Sequence, residues 1–340
     1  MNLNFASDNA GPVHPAIMQA LADANAGGTM PYGNDDATAA LRDRFRTLLA
    51  WPEAEIALVA TGTAANAIAL AALVKPYDAI LCHQAAHIQD DEAGAPEFYT
   101  GGAKLVPVPG PHGRIDPDAL RAACARIGTS VHAVQRGALS LTDVTEAGTL
   151  YTPDQLDALT AIARDYGMAT HLDGARFANA CAALDCTAAD LARGFDVVSF
   201  GGTKNGCMGV EAIVLRDPAG HWDVQMRRKR AGHLWSKHRY LAAQMTAYLA
   251  DDLWLDLGGR ANAAAGRLAE GLARAGAEVV HPPQANMIFA RLDPAAHDRA
   301  KAAGAAYYVM DDAPRPLCRL VCDWSKTDAE VDALLRALAG

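Results

Sequence analysis

The sequence predicts an α/β protein: a mostly parallel sheet covered by helices, followed by a smaller α/β domain at the C-terminal end. Three observations predict it. Apolar runs of strand length alternate with longer helical patterns along most of the chain. Those runs are apolar on both faces, as strands buried between helix layers must be. After "WLDLGGR" the order changes to helix, two strands, helix, two strands and a last helix, the pattern of a separate small layer. At 340 residues the chain can build one large core and a second, smaller one.

Each element has a local cause. "EIALVA" is the first strand, with the helical pattern "TAANAIALAALV" directly behind it; "DAILC" and "KLVPV" are the next strands, and "DPDALRAACARI" the next helix. "ALSLT" leads to "TPDQLDALTAIARDYG", where Thr152 can cap, Pro153 fits the first turn and Gly167 ends the helix. "MATHLD" and "DVVSF" follow as strands around the helix "TAADLARG", and "GVEAIVLR" closes the series. Beyond it "AEVVH", "NMIFARL", "AYYVM" and "CRLVC" are strands, while "PAAHDRAKAAG" and the run from Thr327 are helices. The expected division is residues 1–249 and 250–340, with an N-terminal arm over about residues 1–20 packed beside the small domain.

Composition excludes several classes of function. A hydrophobic fraction of 51%, a charged fraction of 20% and a net charge of −9 describe a soluble globular protein. The one dense basic run, Arg227 to Arg230, has no interleaved aromatics, so nucleic-acid binding is not expected. The seven cysteines include no CxxC pair, which points to reduced thiols in the cytoplasm and to no metal site. No targeting segment and no uninterrupted membrane-length apolar stretch is legible, and no membrane partner is expected.

In a parallel sheet, ligands bind beyond the carboxyl ends of the strands, so the residues just after each strand carry the chemistry. After "EIALVA" comes "TGTAAN": Gly62 lets a ligand approach the backbone and Thr63 offers a hydroxyl at a helix start, an anion site if it is more than an ordinary cap. After "MATHL" comes Asp173, with Arg176 three residues on. After "DVVSF" comes Lys204 in "FGGTKNG", a strongly hydrated cation set among glycines. A lysine to condense with an aldehyde, a carboxylate to keep a pyridine nitrogen protonated and a helix N-terminus for a phosphate are what pyridoxal phosphate needs. The glycines around Lys204 then leave room for the cofactor against bare backbone. No GxGxxG and no GxxxxGK[ST] motif anchors a competing nucleotide. His87, a few residues beyond "DAILC", can lie on the face of a cofactor ring or be a structural histidine.

With these residues in hand, the chain resembles the low-specificity L-threonine aldolases, bacterial branch, pyridoxal-phosphate enzymes of the aspartate-aminotransferase fold (fold type I). The stretches that carry the resemblance are "FASDN", "YGND", "TGTAAN", "AAHIQDDEAGAPEF", "HLDGARFANA", "FGGTKNG" and "CRLVCDW", in order along the whole chain. The resemblance implies cleavage of L-threonine, L-allo-threonine and related 3-hydroxy amino acids to glycine and an aldehyde. Another pyridoxal lyase (β-eliminating, phenylserine-cleaving or like serine hydroxymethyltransferase) is the alternative. It implies Lys204 for the covalent link, Asp173 at the ring nitrogen, His87 on the ring, Gly62 and Thr63 on the phosphate, and Arg176 within the cofactor site. It places Ser7, Arg176 and Arg319 on the substrate carboxylate and Tyr32 and Asn34 near the substrate. Ser236 or Lys237 would reach the phosphate from a neighbouring subunit, which implies a homo-oligomer: a dimer with shared sites, assembling as a tetramer. Other branches carry a histidine near Glu146. Here the nearest is His132, so His87, His132, Glu146 and bound water all stand as acceptors of the hydroxyl proton, with His87 and His132 expected to share the work.

Overall fold

The computed structural model describes residues 2–128, 130–311 and 313–340. A seven-stranded sheet forms from β1 (Glu55–Val59), β2 (Asp78–His83), β3 (Lys104–Val108), β4 (Gln135–Thr142), β5 (Ala169–Gly174), β6 (Val197–Gly201) and β7 (Glu211–Leu215), in the order β1-β7-β6-β5-β4-β2-β3. The pairs from β6 across to β3 are parallel; β7 runs antiparallel to both of its neighbours.

Both faces are buried, and the strand period decides which side each residue serves. On β6, Val197 packs with Ile68 of helix Gly62–Leu73 and Ile213 of β7. Val198 and Phe200 point the other way, into a cluster shared with helices Pro117–Arg126 and Pro153–Asp165. Helix Gly62–Leu73 is buried along most of its length, which is why alanine fills it: small side chains let it lie close to the sheet. Helix Pro153–Asp165 begins with a reciprocal Thr152–Gln155 capping box and Pro153 at its first position; Gly167, just past its end, has a left-handed backbone (φ 69).

A second sheet is antiparallel: β8 (Glu278–Val279), β9 (Met287–Arg291), β10 (Tyr308–Val309) and β11 (Leu317–Val321), ordered β10-β11-β9-β8. The helix Leu253–Arg274 spans two cores. Trp254 and Leu257 belong to the cluster of the large sheet, whereas Leu268 and Leu272 pack with Ile288, Leu320 and Leu334. Phe5 is fully buried in that second cluster, and its backbone bonds Ala306 at 2.7 Å and Val321 at 2.8 Å. Residues 6–9 are thereby led over the carboxyl ends of the parallel strands. Among the described residues no helix is long and apolar enough to cross a membrane.

Candidate active site

A cavity of about 270 Å³ opens at those strand ends, where it collects side chains from seven separate segments. Asn9 comes from the N-terminal arm, Thr61 to Thr63 and Asn66 from the start of the helix behind β1, and His87 and Glu92 from the turn after β2. Glu146 follows β4, Asp173 ends β5, Lys204 follows β6 and Glu211 opens β7. Of the residues read from sequence, Gly62, Thr63, His87, Asp173 and Lys204 are therefore brought together.

The helix start is an anion cradle. Thr61, not Thr63, is the cap: its Oγ1 accepts from Ala64 N at 3.2 Å, leaving the amides of Gly62 and Thr63 as first-turn donors without an intrahelical partner. A Cβ built on Gly62 would meet no protein atom within 4 Å. The space in front of it belongs to the cavity. One turn on, Asn66 Nδ2 donates to Asp173 Oδ2 and to Glu92 Oε1, each at 2.9 Å, while Asp173 Oδ1 accepts from Ala175 N at 3.0 Å. Asp173 is buried, and its carboxylate is held in place from both sides.

His87 Nδ1 lies 2.8 Å from Glu92 Oε1. That bond holds the imidazole above its usual pKa against the effect of burial, with Glu146 and Asp173 adding to the shift and Lys204 opposing it. Burial raises the Glu92 carboxyl, and the His87 bond pulls it back. Glu211 is pushed up to about 7 by burial, although its Oε2 accepts from Gly202 N at 2.9 Å. Behind Asp173 on the same strand, His171 is clamped between Ser140 Oγ (2.9 Å) and Ser199 Oγ (3.0 Å) and depressed to about 4 by burial. It is a neutral part of the core.

Other residues read from sequence lie away from the cavity of their own chain. His132 is exposed in the turn before β4, at the amino end of that strand, the end of the sheet opposite the cavity. The glycines around Lys204 answer to the protein's own backbone: a Cβ on Gly201 would sit 2.4 Å from Ala175 O, one on Gly202 2.8 Å from Val210 O, and Gly206 has φ 100. Arg176 does not line the cavity, because its Nε and Nη2 are spent on buried Asp8 at 2.7 and 3.1 Å. Tyr32 and Asn34 line a different cavity of about 460 Å³ with Arg228, Lys229 and His238. Ser236 and Lys237 lie away from the Lys204 cavity of their own chain; Ser236 O accepts from Tyr32 N at 3.1 Å.

Ser7 Oγ caps the turn that presents Asn9, accepting from Asn9 N at 3.2 Å. Arg319 stands on β11 with Nη2 on Ala6 O at 3.2 Å and its face over Tyr308, and its buried Nε has no partner among the described residues. Asn66, Glu92 and Glu211 line the site without a role assigned from sequence. Asn66 could have been found as the one polar side chain after the first two residues of an alanine helix, one turn beyond Gly62. Glu211 opens an apolar strand. Glu92 was hidden in the run "QDDE", where nothing in the sequence tells which acid turns inward.

Comparisons with known proteins show the family and the fold. The family model described as "Beta-eliminating lyase" matches residues 4–295. A low-specificity L-threonine aldolase of Pseudomonas aeruginosa is 40% identical over 331 residues, 96% of this chain and 94% of that protein. The solved structure of a Leishmania major threonine aldolase superposes with a TM-score of 0.93 at 28% identity, covering 99% of this chain and 98% of that one. Aspartate aminotransferase of Thermus thermophilus shares the fold alone, with a TM-score of 0.70 at 15% identity over 99% of this chain and 91% of that one.

Proposed function

We propose that this chain, which belongs to the β-eliminating lyase family and within it to the low-specificity L-threonine aldolases, cleaves L-threonine and related L-3-hydroxy amino acids to glycine and an aldehyde. The observation that carries this reading is the meeting of Lys204, Asp173 and the open helix start at Gly62 and Thr63 in one cavity. Those residues fit pyridoxal phosphate: an amine, a carboxylate and a bare first turn, with no side chain filling the cradle. When bound, the cofactor supplies an electron sink conjugated to the substrate's Cα.

The chain's own groups do the rest. Lys204 provides the amine for the covalent link. Asp173, held by Asn66 and Ala175 N, would face the ring nitrogen with its carboxylate. The amides of Gly62 and Thr63 would hold the phosphate at the positive end of their helix. Arg319, bonded through Nη2 to Ala6 O of the arm that brings Asn9 to the cavity, is the guanidinium assigned to the substrate carboxylate. His87, which lines the cavity, would lie along the cofactor with Nε2 available for the proton of the substrate hydroxyl, and Glu146 lines the same cavity. The assembly that goes with this reading is a cytoplasmic homo-oligomer in which Ser236 or Lys237 of one subunit reaches the phosphate of the next.

The test is direct. Purified protein given L-threonine should release acetaldehyde and glycine, and borohydride should trap the cofactor on a peptide containing Lys204. Lys204→Ala should lose both. Failure to release glycine from any of a panel of 3-hydroxy amino acids, or a wild-type rate in Lys204→Ala, would overturn the reading.

A further inference from the structure

We infer that Glu92 and Asn66 are positioning residues: one buried carboxylate–amide bridge sets the imidazole of His87 and the carboxylate of Asp173 in register with each other. The inference rests on the activity proposed above and deepens it.

Three short bonds define the bridge. Asn66 Nδ2 spends both of its hydrogens, one on Glu92 Oε1 and one on Asp173 Oδ2, each at 2.9 Å. That fixes the amide, since a flipped Asn66 would turn its oxygen toward two carboxylates. Glu92 Oε1, already accepting from Asn66, also meets His87 Nδ1 at 2.8 Å. An ionised carboxylate only accepts, so Nδ1 carries the hydrogen and the neutral ring keeps its lone pair at Nε2. Nε2 has no protein partner among the described residues, and His87 lines the cavity. The tautomer that can take a proton from a substrate hydroxyl is thereby imposed from behind, by a carboxylate whose side chain is fully buried.

Two orphaned atoms argue that this arrangement is not there for stability. Glu92 Oε2 and Asn66 Oδ1 are both buried without a partner among the described residues. A network kept only to hold the fold together would satisfy them or replace them with apolar groups. Glu92 is not alone in facing His87: Glu146 from the loop after β4 and Asp173 from the end of β5 add negative charge, and Lys204 after β6 opposes them. Among the described residues, however, only Glu92 makes a hydrogen bond to the ring, and only Asn66 joins that bond to Asp173.

The decisive readout is independent of turnover. In protein labelled with ¹³C-histidine, the His87 Cε1–H resonance, assigned by its loss in His87→Asn, is titrated in wild type, Glu92→Gln and Asn66→Leu. Glu92→Gln should lower the His87 midpoint by about one pH unit, the effect of losing an adjacent opposite charge. Asn66→Leu should raise it, because Glu92 then loses a competing donor and accepts more strongly from His87. Opposite shifts cannot come from a general packing defect. In the holoenzyme, Glu92→Gln should lower kcat about tenfold to a hundredfold, as loss of a carboxylate behind a working histidine does, and should add nothing in a His87→Asn background. Unchanged midpoints, shifts of the same sign, or an equal loss of rate in both backgrounds would overturn the inference. Because the titration needs no substrate, failure of the bridge and failure of the proposed activity are separately visible.

Discussion

Arg176 and Asp8 meet in the interior, Nε donating to Oδ2 at 2.7 Å and Nη2 to Oδ1 at 3.1 Å, and Asn286 Nδ2 adds a third bond to Asp8 at 3.0 Å. Burial alone would raise the Asp8 carboxyl, but the charges of Arg176 and Lys204 hold it below its usual value. The pair ties the N-terminal arm to the end of β5. Asp8→Ala leaves a buried guanidinium uncompensated and should cost about 3–5 kcal/mol in denaturant unfolding. A loss under about 1 kcal/mol, the value of an exposed pair, would mean that water or another group replaces the carboxylate.

Asp8 takes Nε and Nη2 of Arg176, and Arg319 is the arginine assigned to the substrate carboxylate. Arg319→Ala should raise KM for threonine about tenfold to a hundredfold, the loss of one charge-assisted contact, with a much smaller change in kcat. Steady-state kinetics decide it. An unchanged KM would return the role to Arg176.

His132 lies at the wrong end of β4 to reach the cavity. His132→Asn should therefore keep kcat/KM within about twofold of wild type, as exposed substitutions away from a site do. A larger loss, measured in the same threonine assay, would require the residue to act across a subunit boundary.

Glu211 makes stability depend on pH. Its carboxyl is raised by burial from 4.5 to about 7, so the native state binds this proton more tightly than the unfolded chain. Stability falls as pH rises through that interval, and the penalty is fully present above it. Glu211→Gln keeps an acceptor for Gly202 N and should remove this decline, a gain of up to about 3 kcal/mol at pH 8 that vanishes near pH 4. Urea unfolding at several pH values measures it; parallel curves for the two proteins would show that Glu211 is not the titrating group.

Much of the fold was legible because it rests on short-range pattern. Runs such as "DVVSF" and "EIALVA", apolar on both faces, can only be strands between helix layers, and Thr152, Pro153 and Gly167 bound their helix by local backbone chemistry. The strand-end rule then picked out Gly62, Asp173 and Lys204, since each lies at the carboxyl end of its strand or within three residues of it. Nearness in sequence misled where a strand intervened: His132 precedes β4 and Glu146 follows it, and the eight residues Gln135–Thr142 between them carry the chain across the sheet.

The sequence by itself determined the layered α/β architecture, the strands whose ends bear the site, and the lysine, aspartate and helix start that suit one cofactor. Only the tertiary structure decided how those groups are partnered. Arg176 is taken by Asp8, 168 positions away, Asp173 is held by Asn66, 107 positions away, and Glu92 rather than Asp90 or Asp91 turns inward to His87. The physical reason is that hydrogen bonding acts over about 3 Å of space. Which donors and acceptors share that distance is set by the packing of strands and helices remote in the chain, which no local pattern records.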